Sequence, residues 1–269
     1  MSEGQIAAVI LAAGSSSRMG GLKKEYQKLG DCGTVLAKAA AAFAAVPSIK
    51  TIIIAVQPNT EESARSALPA EYFCPKRKLR APQSVPPAYA PKILFVEGGK
   101  TRSASVYNAL SFIAKNSETV YEASCEASAS CEASASCEAS ASCDADGGGR
   151  YVLIHDGARP WVSPALIKNI IEAVKKHDAA IPLISVTDTP KLVCEDGFIA
   201  QHLRRPDVGL AQTPQAFRFP QILYAHEKAA QLDEEFTDDA EIWGRFCGRT
   251  AVIPGDPENR KITFPEDLV

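Results

Sequence analysis

Ile6-Ala7-Ala8-Val9-Ile10-Leu11-Ala12-Ala13, followed by Gly14-Ser15-Ser16-Ser17-Arg18-Met19-Gly20-Gly21-Leu22-Lys23-Lys24, is the stretch that decides the fold. The apolar run reads as a buried strand bounded by a glycine. The small residues after it leave backbone N–H groups free to face an anion, and Arg18 and the following lysines bring cations to the same place. That combination points to polyphosphate; the alternative is a strand that simply ends in a polar turn. A P-loop is excluded, because no glycine-lysine-serine/threonine follows five residues after Gly14. The dinucleotide fingerprint is excluded too, since Ser16 stands where its second glycine belongs.

Outward from this strand, apolar runs alternate with helical patterns, which predicts an α/β fold with a mostly parallel, Rossmann-like sheet flanked by helices. Strands are expected over 6–12, 51–56, 93–97, 151–155, 179–185 and 250–253. Helices are expected over 34–46, weakly after Asn59, and over 101–114, 163–177, 220–231 and 238–246. Ser163-Pro164 is a cap-then-proline helix start. Residues 187–210 break the rhythm: Thr189 to Val193, a turn at Asp196-Gly197 and Phe198 to Ala200 read as a protruding hairpin arm. So polar a hairpin needs support, and a second subunit is a plausible one.

The chain of 269 residues suits a single domain, 1–269, with the arm and one insertion. The insertion, 117–149, carries a Glu-Ala-Ser-Cys repeat and a glycine run, too poor in large apolar groups to order, and is expected to be disordered. Four of the eight cysteines belong to this repeat, spaced wrongly for a zinc knuckle, so free thiols in a reducing compartment are expected. A net charge of −3 gives no pull toward nucleic acid or an anionic membrane. The cluster Lys76-Arg77-Lys78-Leu79-Arg80 has no interleaved aromatic and reads as a solvated loop. No run is long enough to span a membrane and Met1-Ser2-Glu3-Gly4 has no basic leader, so a cytoplasmic location is expected.

Seven motifs spread along the chain resemble, in order, those of the 2-C-methyl-D-erythritol 4-phosphate cytidylyltransferase family. They are Leu11-Ala12-Ala13-Gly14 through Gly20, Gly98-Gly99-Lys100-Thr101-Arg102-Ser103-Ala104-Ser105-Val106, His155-Asp156-Gly157-Ala158-Arg159-Pro160 and Val186-Thr187-Asp188-Thr189-Pro190-Lys191. Gln212-Thr213-Pro214-Gln215-Ala216-Phe217, Phe236-Thr237-Asp238-Asp239-Ala240 and Asn259-Arg260-Lys261-Ile262-Thr263 complete the series.

The resemblance implies transfer of a cytidylyl group from CTP to 2-C-methyl-D-erythritol 4-phosphate with release of diphosphate, in isoprenoid precursor biosynthesis, with Arg18 and Lys24 as the catalytic cations. It implies a nucleotide site of Ala12, Ala13, Gly14, Gly98, Gly99, Arg102, Ser105, Asp156 and Arg159. Gly98-Gly99 lets the chain approach a flat ring and Ser105 is placed for its polar edge; a tight strand-to-helix turn capped by Thr101 or Ser103 is the other reading. Asp156, after a strand, suits Mg²⁺ as ligand, or is a turn aspartate. His155 is assigned to packing. The acceptor phosphate would meet Thr237 and Lys261 in one subunit and Thr189 and Arg205 from the arm of the other, making a homodimer with shared sites.

The chain departs from the family in three places. Lys23-Lys24-Glu25-Tyr26 replaces Pro-Lys-Gln-Tyr, so Lys23 competes with Lys24; Arg204 adjoins Arg205; and the family pattern runs on past Asp267-Leu268-Val269 into another helix. A cytidylyltransferase for another polyol phosphate such as ribitol 5-phosphate fits the same charges, and a non-catalytic CTP-binding dimer is the alternative from another class.

Overall fold

A computed structural model describes residues 5–14, 19–30, 33–72, 91–121 and 149–268. The expectations for Arg18, for the serines before it, for the basic cluster at 76–80 and for the repeat itself lie outside the described residues.

The first strand, β1 (Gln5–Ala12), is buried along seven of its eight residues. Its side chains alternate between two cores. Ile6, Ala8, Ile10 and Ala12 face one core with helices α1 (Val35–Ala44) and α5 (Pro164–His177). Ala7, Val9 and Leu11 face the other, with α3 (Arg102–Lys115), α6 (Phe219–Ala229) and α7 (Asp239–Phe246). A strand covered on both faces has no polar side to show, which is why its sequence reads as one apolar run. Two short helices, α2 (Glu61–Ser66) and α4 (Ser117–Val120), complete the α-helices among the described residues.

The sheet also contains β2 (Ile49–Val56), β3 (Lys92–Glu97), β4 (Arg150–Asp156), β5 (Ala179–Ser185), β8 (Gly209–Ala211), β9 (Gln215–Arg218) and β10 (Ala251–Pro254). Its order is β10-β5-β9-β4-β1-β2-β3, with β8 paired to β5. The neighbours β4, β1, β2 and β3 are mutually parallel. Leu11 pairs with Asp156, Ala12 with Val56 and Val56 with Glu97, so four carboxyl ends stop level with one another. Ligands of open α/β sheets bind at such an edge.

The expected strands and helices are all present, with ends within a few residues. Two strands were not foreseen. β8 and β9 run antiparallel, and β9 wedges between β4 and β5. β9 has only four residues, with Gln and Arg at its ends, so it carries no periodic signal. The arm forms as expected: β6 (Lys191–Val193) and β7 (Ile199–His202) pair antiparallel around Gly197, whose φ of +86° a side chain would strain. Its few apolar side chains are uncovered, since Leu192, Val193, Phe198 and Ile199 are all exposed.

The insertion begins later than expected. Residues 117–121, assigned to it by composition, instead form α4 and a packed turn. Val120 and Tyr121 are buried, the Val120 carbonyl accepts from Thr51 Oγ1 at 2.8 Å, and Tyr121 Oη donates to the Tyr151 carbonyl at 3.2 Å. Tyr121 also meets Phe219 edge-on at 5.7 Å between ring centroids. Tyr121→Ala should therefore cost about 3 kcal/mol or more in urea unfolding, and Tyr121→Phe, which loses only the hydrogen bond, about 1 kcal/mol. A silent alanine variant would return this segment to the insertion.

Candidate active site

The level strand ends open into a cleft of about 650 Å³. Leu11, Ala13 and Gly14 line it from the end of β1, Gln57 and Pro58 from β2, Gly98 and Gly99 from β3, and Asp156 from β4. Lys24, Arg102, Ser105 and Lys261, all expected at the site, line it as well.

The wall made by Gly98 and Gly99 is close-packed. A Cβ on Gly98 would lie 2.3 Å from Ala13 Cβ, and one on Gly99 would lie 2.4 Å from Ala104 Cβ. Glycine is needed at both because backbone and helix start touch there. Thr101 rather than Ser103 is the N-cap of α3, accepting from Ala104 N at 3.1 Å. Ser105 Oγ donates to the Thr101 carbonyl at 2.8 Å and accepts from Gly99 N at 3.0 Å, so the buried hydroxyl ties the glycine turn to the helix. It lines the cleft with its one proton already spent on Thr101, so toward a ligand it has only acceptor capacity left.

Asp156 is the electrostatic centre. Lys261 Nζ lies 2.7 Å from its Oδ2, Arg102 Nε 3.4 Å from Oδ1 and Arg159 Nε 3.9 Å from Oδ2. Burial opposes ionisation here, but Lys261, Arg102 and Arg159 together outweigh it and hold the carboxyl well below its usual range. Arg159 does not line the cleft; its Nη1 donates to the Asn259 carbonyl at 2.8 Å behind Asp156. Lys261, expected as a substrate cation, is here Asp156's closest partner.

Two residues of this network were not foreseen. Asp239 Oδ2 accepts from Arg102 Nη2 at 2.8 Å, and His226 Nε2 lies 3.3 Å from Asp239 Oδ1. Burial would lower the charge on Arg102, yet Asp239 and Asp156 beside it raise its pKa. The signal for Asp239 was in plain view, in the Phe236-Thr237-Asp238-Asp239-Ala240 motif, but it gave no hint of a partner 137 residues away.

The two candidate lysines separate. Lys24 Nζ lies inside the cleft wall and donates to the Ile262 carbonyl at 3.1 Å, while Lys23 Nζ donates to the Gly14 carbonyl at 2.7 Å and does not line the cleft. Besides Arg159, four expected residues do not line the cleft. Ala12 is buried in β1 between the lining residues Leu11 and Ala13. Thr237 is exposed, with its hydroxyl on Glu241 Oε2 at 2.7 Å in the cap of α7. Thr189 and Arg205 lie exposed on the arm, where Arg205 Nη1 donates to the Thr187 carbonyl at 3.1 Å.

His155 packs, as expected. It is buried against Phe43 at 5.0 Å between centroids, with Nδ1 3.0 Å from Thr213 Oγ1 and Nε2 3.1 Å from the Arg159 carbonyl.

A mostly parallel sheet whose strand ends meet a glycine wall and one carboxylate among cations makes an α/β fold with an anion-suited cleft at that edge. The family model described as 2-C-methyl-D-erythritol 4-phosphate cytidylyltransferase matches residues 6–123 and 134–269, and the chain belongs to that family. The gap between the matched segments falls within the Glu-Ala-Ser-Cys repeat. Over 268 residues the chain is 36% identical to the bifunctional enzyme IspD/IspF of Nitrobacter winogradskyi, covering 98% of this chain and 54% of that protein. It is 32% identical over 265 residues to 2-C-methyl-D-erythritol 4-phosphate cytidylyltransferase of Pelotomaculum thermopropionicum, covering 98% and 91%. The chain thus spans about half the length of its bifunctional relatives. Among solved structures it resembles 4-diphosphocytidyl-2C-methyl-D-erythritol synthase of Anaerococcus prevotii, with a TM-score of 0.71 and 25% identity over 98% of this chain and 93% of that one.

Burial pushes the His155 imidazole down from 6.5 to about 4, with Asp156 only partly offsetting it. Between those values the unfolded chain binds a proton that the folded one refuses. Stability from this group is therefore complete above about pH 6.5 and lost as the pH falls toward 4, by up to about 3 kcal/mol. Urea unfolding in metal-free buffer should show that decline, and His155→Gln should flatten it by one proton; an unchanged slope would assign the titration to another group.

Proposed function

We propose that this chain transfers the cytidylyl group of CTP to 2-C-methyl-D-erythritol 4-phosphate. The reaction releases diphosphate and forms 4-diphosphocytidyl-2-C-methyl-D-erythritol for isoprenoid precursor biosynthesis. The observation that carries the reading is the cleft, where Lys24, Arg102 and Lys261 converge beside the Gly98-Gly99 wall and the carboxylate of Asp156. Membership of the family supplies the particular substrates.

The chemistry asks little of the protein beyond placement and charge. A phosphomonoester, with a second pKa near 6, is largely dianionic at neutral pH and attacks the α-phosphorus without a general base. The bond from its oxygen to the α-phosphorus forms as the α–β bridge breaks, and diphosphate leaves with the electron pair. With no base required, His155 beside the site is free to be buried and turned into the core. Lys24, with Arg18 assigned by resemblance, would neutralise charge that grows on the transferring group.

Asp156 fits Mg²⁺ as a single carboxylate ligand. Among the described residues no group of three acidic, histidine or cysteine side chains is arranged to hold a metal ion, so the metal would rest on Asp156, phosphate oxygens and water. The chemistry supplied by a cation held there would be neutralisation of charge on the nucleotide phosphates. The distance of 3.4 Å from Arg102 to Oδ1, against 2.7 Å from Lys261 to Oδ2, leaves Oδ1 the weaker-held oxygen.

For the acceptor we assign Thr237 and Lys261 to one subunit and Thr189 and Arg205 to the other. Exposure of Thr189 and Arg205, and of Leu192, Phe198 and Ile199 around them, supports an arm that leans on a second copy. The free thiols Cys194 and Cys247 suit a reducing compartment such as the cytoplasm.

The test is diphosphate release with CTP and a panel of polyol phosphates. 2-C-methyl-D-erythritol 4-phosphate should be the preferred acceptor; turnover with ribitol 5-phosphate alone would overturn the substrate, and CTP binding without turnover on any acceptor would leave a nucleotide binder. Lys24→Ala should lower kcat about a hundredfold or more with little change in KM for CTP, while Lys23→Ala should be nearly silent. The reverse pattern would move the role to Lys23. Lys24→Ala and Arg205→Ala chains, each inactive alone, should recover when co-expressed. Random mixing makes about half the dimers mixed, each with one intact site, so about a quarter of wild-type sites should return. No recovery despite mixed dimers would put Arg205 in its own subunit's site.

A further inference from the structure

Beneath the cleft, four elements meet along one chain of polar side chains. His226 lies on α6, Asp239 in the first turn of α7, Arg102 at the start of α3 and Asp156 at the end of β4. Their contacts run 3.3 Å from His226 Nε2 to Asp239 Oδ1, 2.8 Å from Asp239 Oδ2 to Arg102 Nη2, and 3.4 Å from Arg102 Nε to Asp156 Oδ1. The His226 and Asp239 side chains are both 0% exposed, and neither lines the cleft. We propose that His226 is a positioning residue for the cytidylyl transfer proposed above, acting through Asp239 to hold Arg102 against Asp156.

A fully buried carboxylate is costly unless its oxygens are partnered, and an apolar pair of similar size would stabilise the fold at least as well. Asp239 nevertheless sits there, with Oδ2 on Arg102 and Oδ1 facing His226. Its pKa is pulled down against burial, with Arg102 and His226 as the opposing causes. The imidazole turns one edge toward the carboxylate. Nε2 lies 3.3 Å from Asp239 Oδ1 without a hydrogen-bond alignment, and neither ring nitrogen has a hydrogen-bond partner among the described residues, so His226 braces the carboxylate by close contact.

The consequence falls on Arg102. Its short contact is spent on Asp239, and it gives Asp156 only a long one. A guanidinium held from behind cannot swing forward to wrap Asp156 in two short bonds. Asp156 thereby keeps an oxygen for a ligand in the cleft, while the cation remains beside it. Without His226, Asp239 Oδ1 loses the group facing it, and the carboxylate is free to rotate and carry Arg102 with it.

The experiment contrasts His226→Gln, which returns an N–H near the Nε2 position, with His226→Asn, which is polar but too short to reach Asp239. Both are compared with wild type for CTP-dependent diphosphate release, urea unfolding and solvent exchange of the Arg102 Nε–H by ¹⁵N NMR. The Asn variant should lose about tenfold in kcat with KM for CTP little changed and show fast Arg102 exchange, while the Gln variant keeps most of both. Adding Asp239→Asn to His226→Asn should cost no more than Asp239→Asn alone. Equal kcat in the Gln and Asn variants, additive losses, or fast Arg102 exchange already in wild type would overturn the proposal. Absence of diphosphate release by wild type would count against the assigned reaction, and Arg102 exchange would still decide the brace.

Discussion

Asp156 is a carboxylate taken out of water at the end of a central strand and kept ionised by Lys261, Arg102 and Arg159. The cations come from three separate parts of the chain: the start of α3, the turn just past β4 and the stretch after β10. A carboxylate in that position without its cations would carry a desolvation penalty of several kcal/mol. The fold has to bring all three together, and the strand register does so. With Leu11 opposite Asp156 and Val56 opposite Glu97, the turns that follow β1, β2, β3 and β4 rise into one cleft.

The rest of the site follows from that anchor. Because Arg102 is the first residue of α3, fixing its guanidinium fixes the helix start, and with it the Gly98-Gly99 turn that Ser105 ties down. Because Lys261 is drawn to Asp156, the following Ile262 is set to give its carbonyl to Lys24 and its N–H to the Ala158 carbonyl. The unexpected strand β9 has a part in this too. Just before it, Thr213 Oγ1 accepts from Asp156 N and meets His155, while the Thr213 carbonyl accepts from Asn259, which in turn receives Arg159. Charge at the cleft floor is thus held by hydrogen bonds to uncharged groups one layer down.

The sequence made the frame legible where the physics is local. A run such as Ile6 to Ala12, short, uninterruptedly apolar and closed by a glycine turn, reads as a strand covered on both faces, and Ser163-Pro164 can open a helix with the side chain accepting from Leu166 N, as it does. Asp156 was legible because it follows a strand. What stayed hidden were pairings across the chain: Arg102 with Asp239, and Lys261 with Asp156, 105 residues apart. No spacing rule encodes those. β9 was missed because four residues, two of them polar, give no period, and 117–121 because a composition shared with the repeat concealed two buried side chains.

If the cleft is organised around an Asp156 carboxylate kept ionised by its ring of cations, the direct measurement is the ¹³Cγ shift of Asp156. It would be followed in selectively labelled protein from pH 7 down to the acid limit of the folded state. The expected result is a carboxylate signal with no inflection at the ordinary value of 3.8 or above, and an inflection displaced toward higher pH in Lys261→Met. An Asp156 that titrates at 3.8 or higher in the wild-type protein, or one indifferent to Lys261, would contradict that organisation.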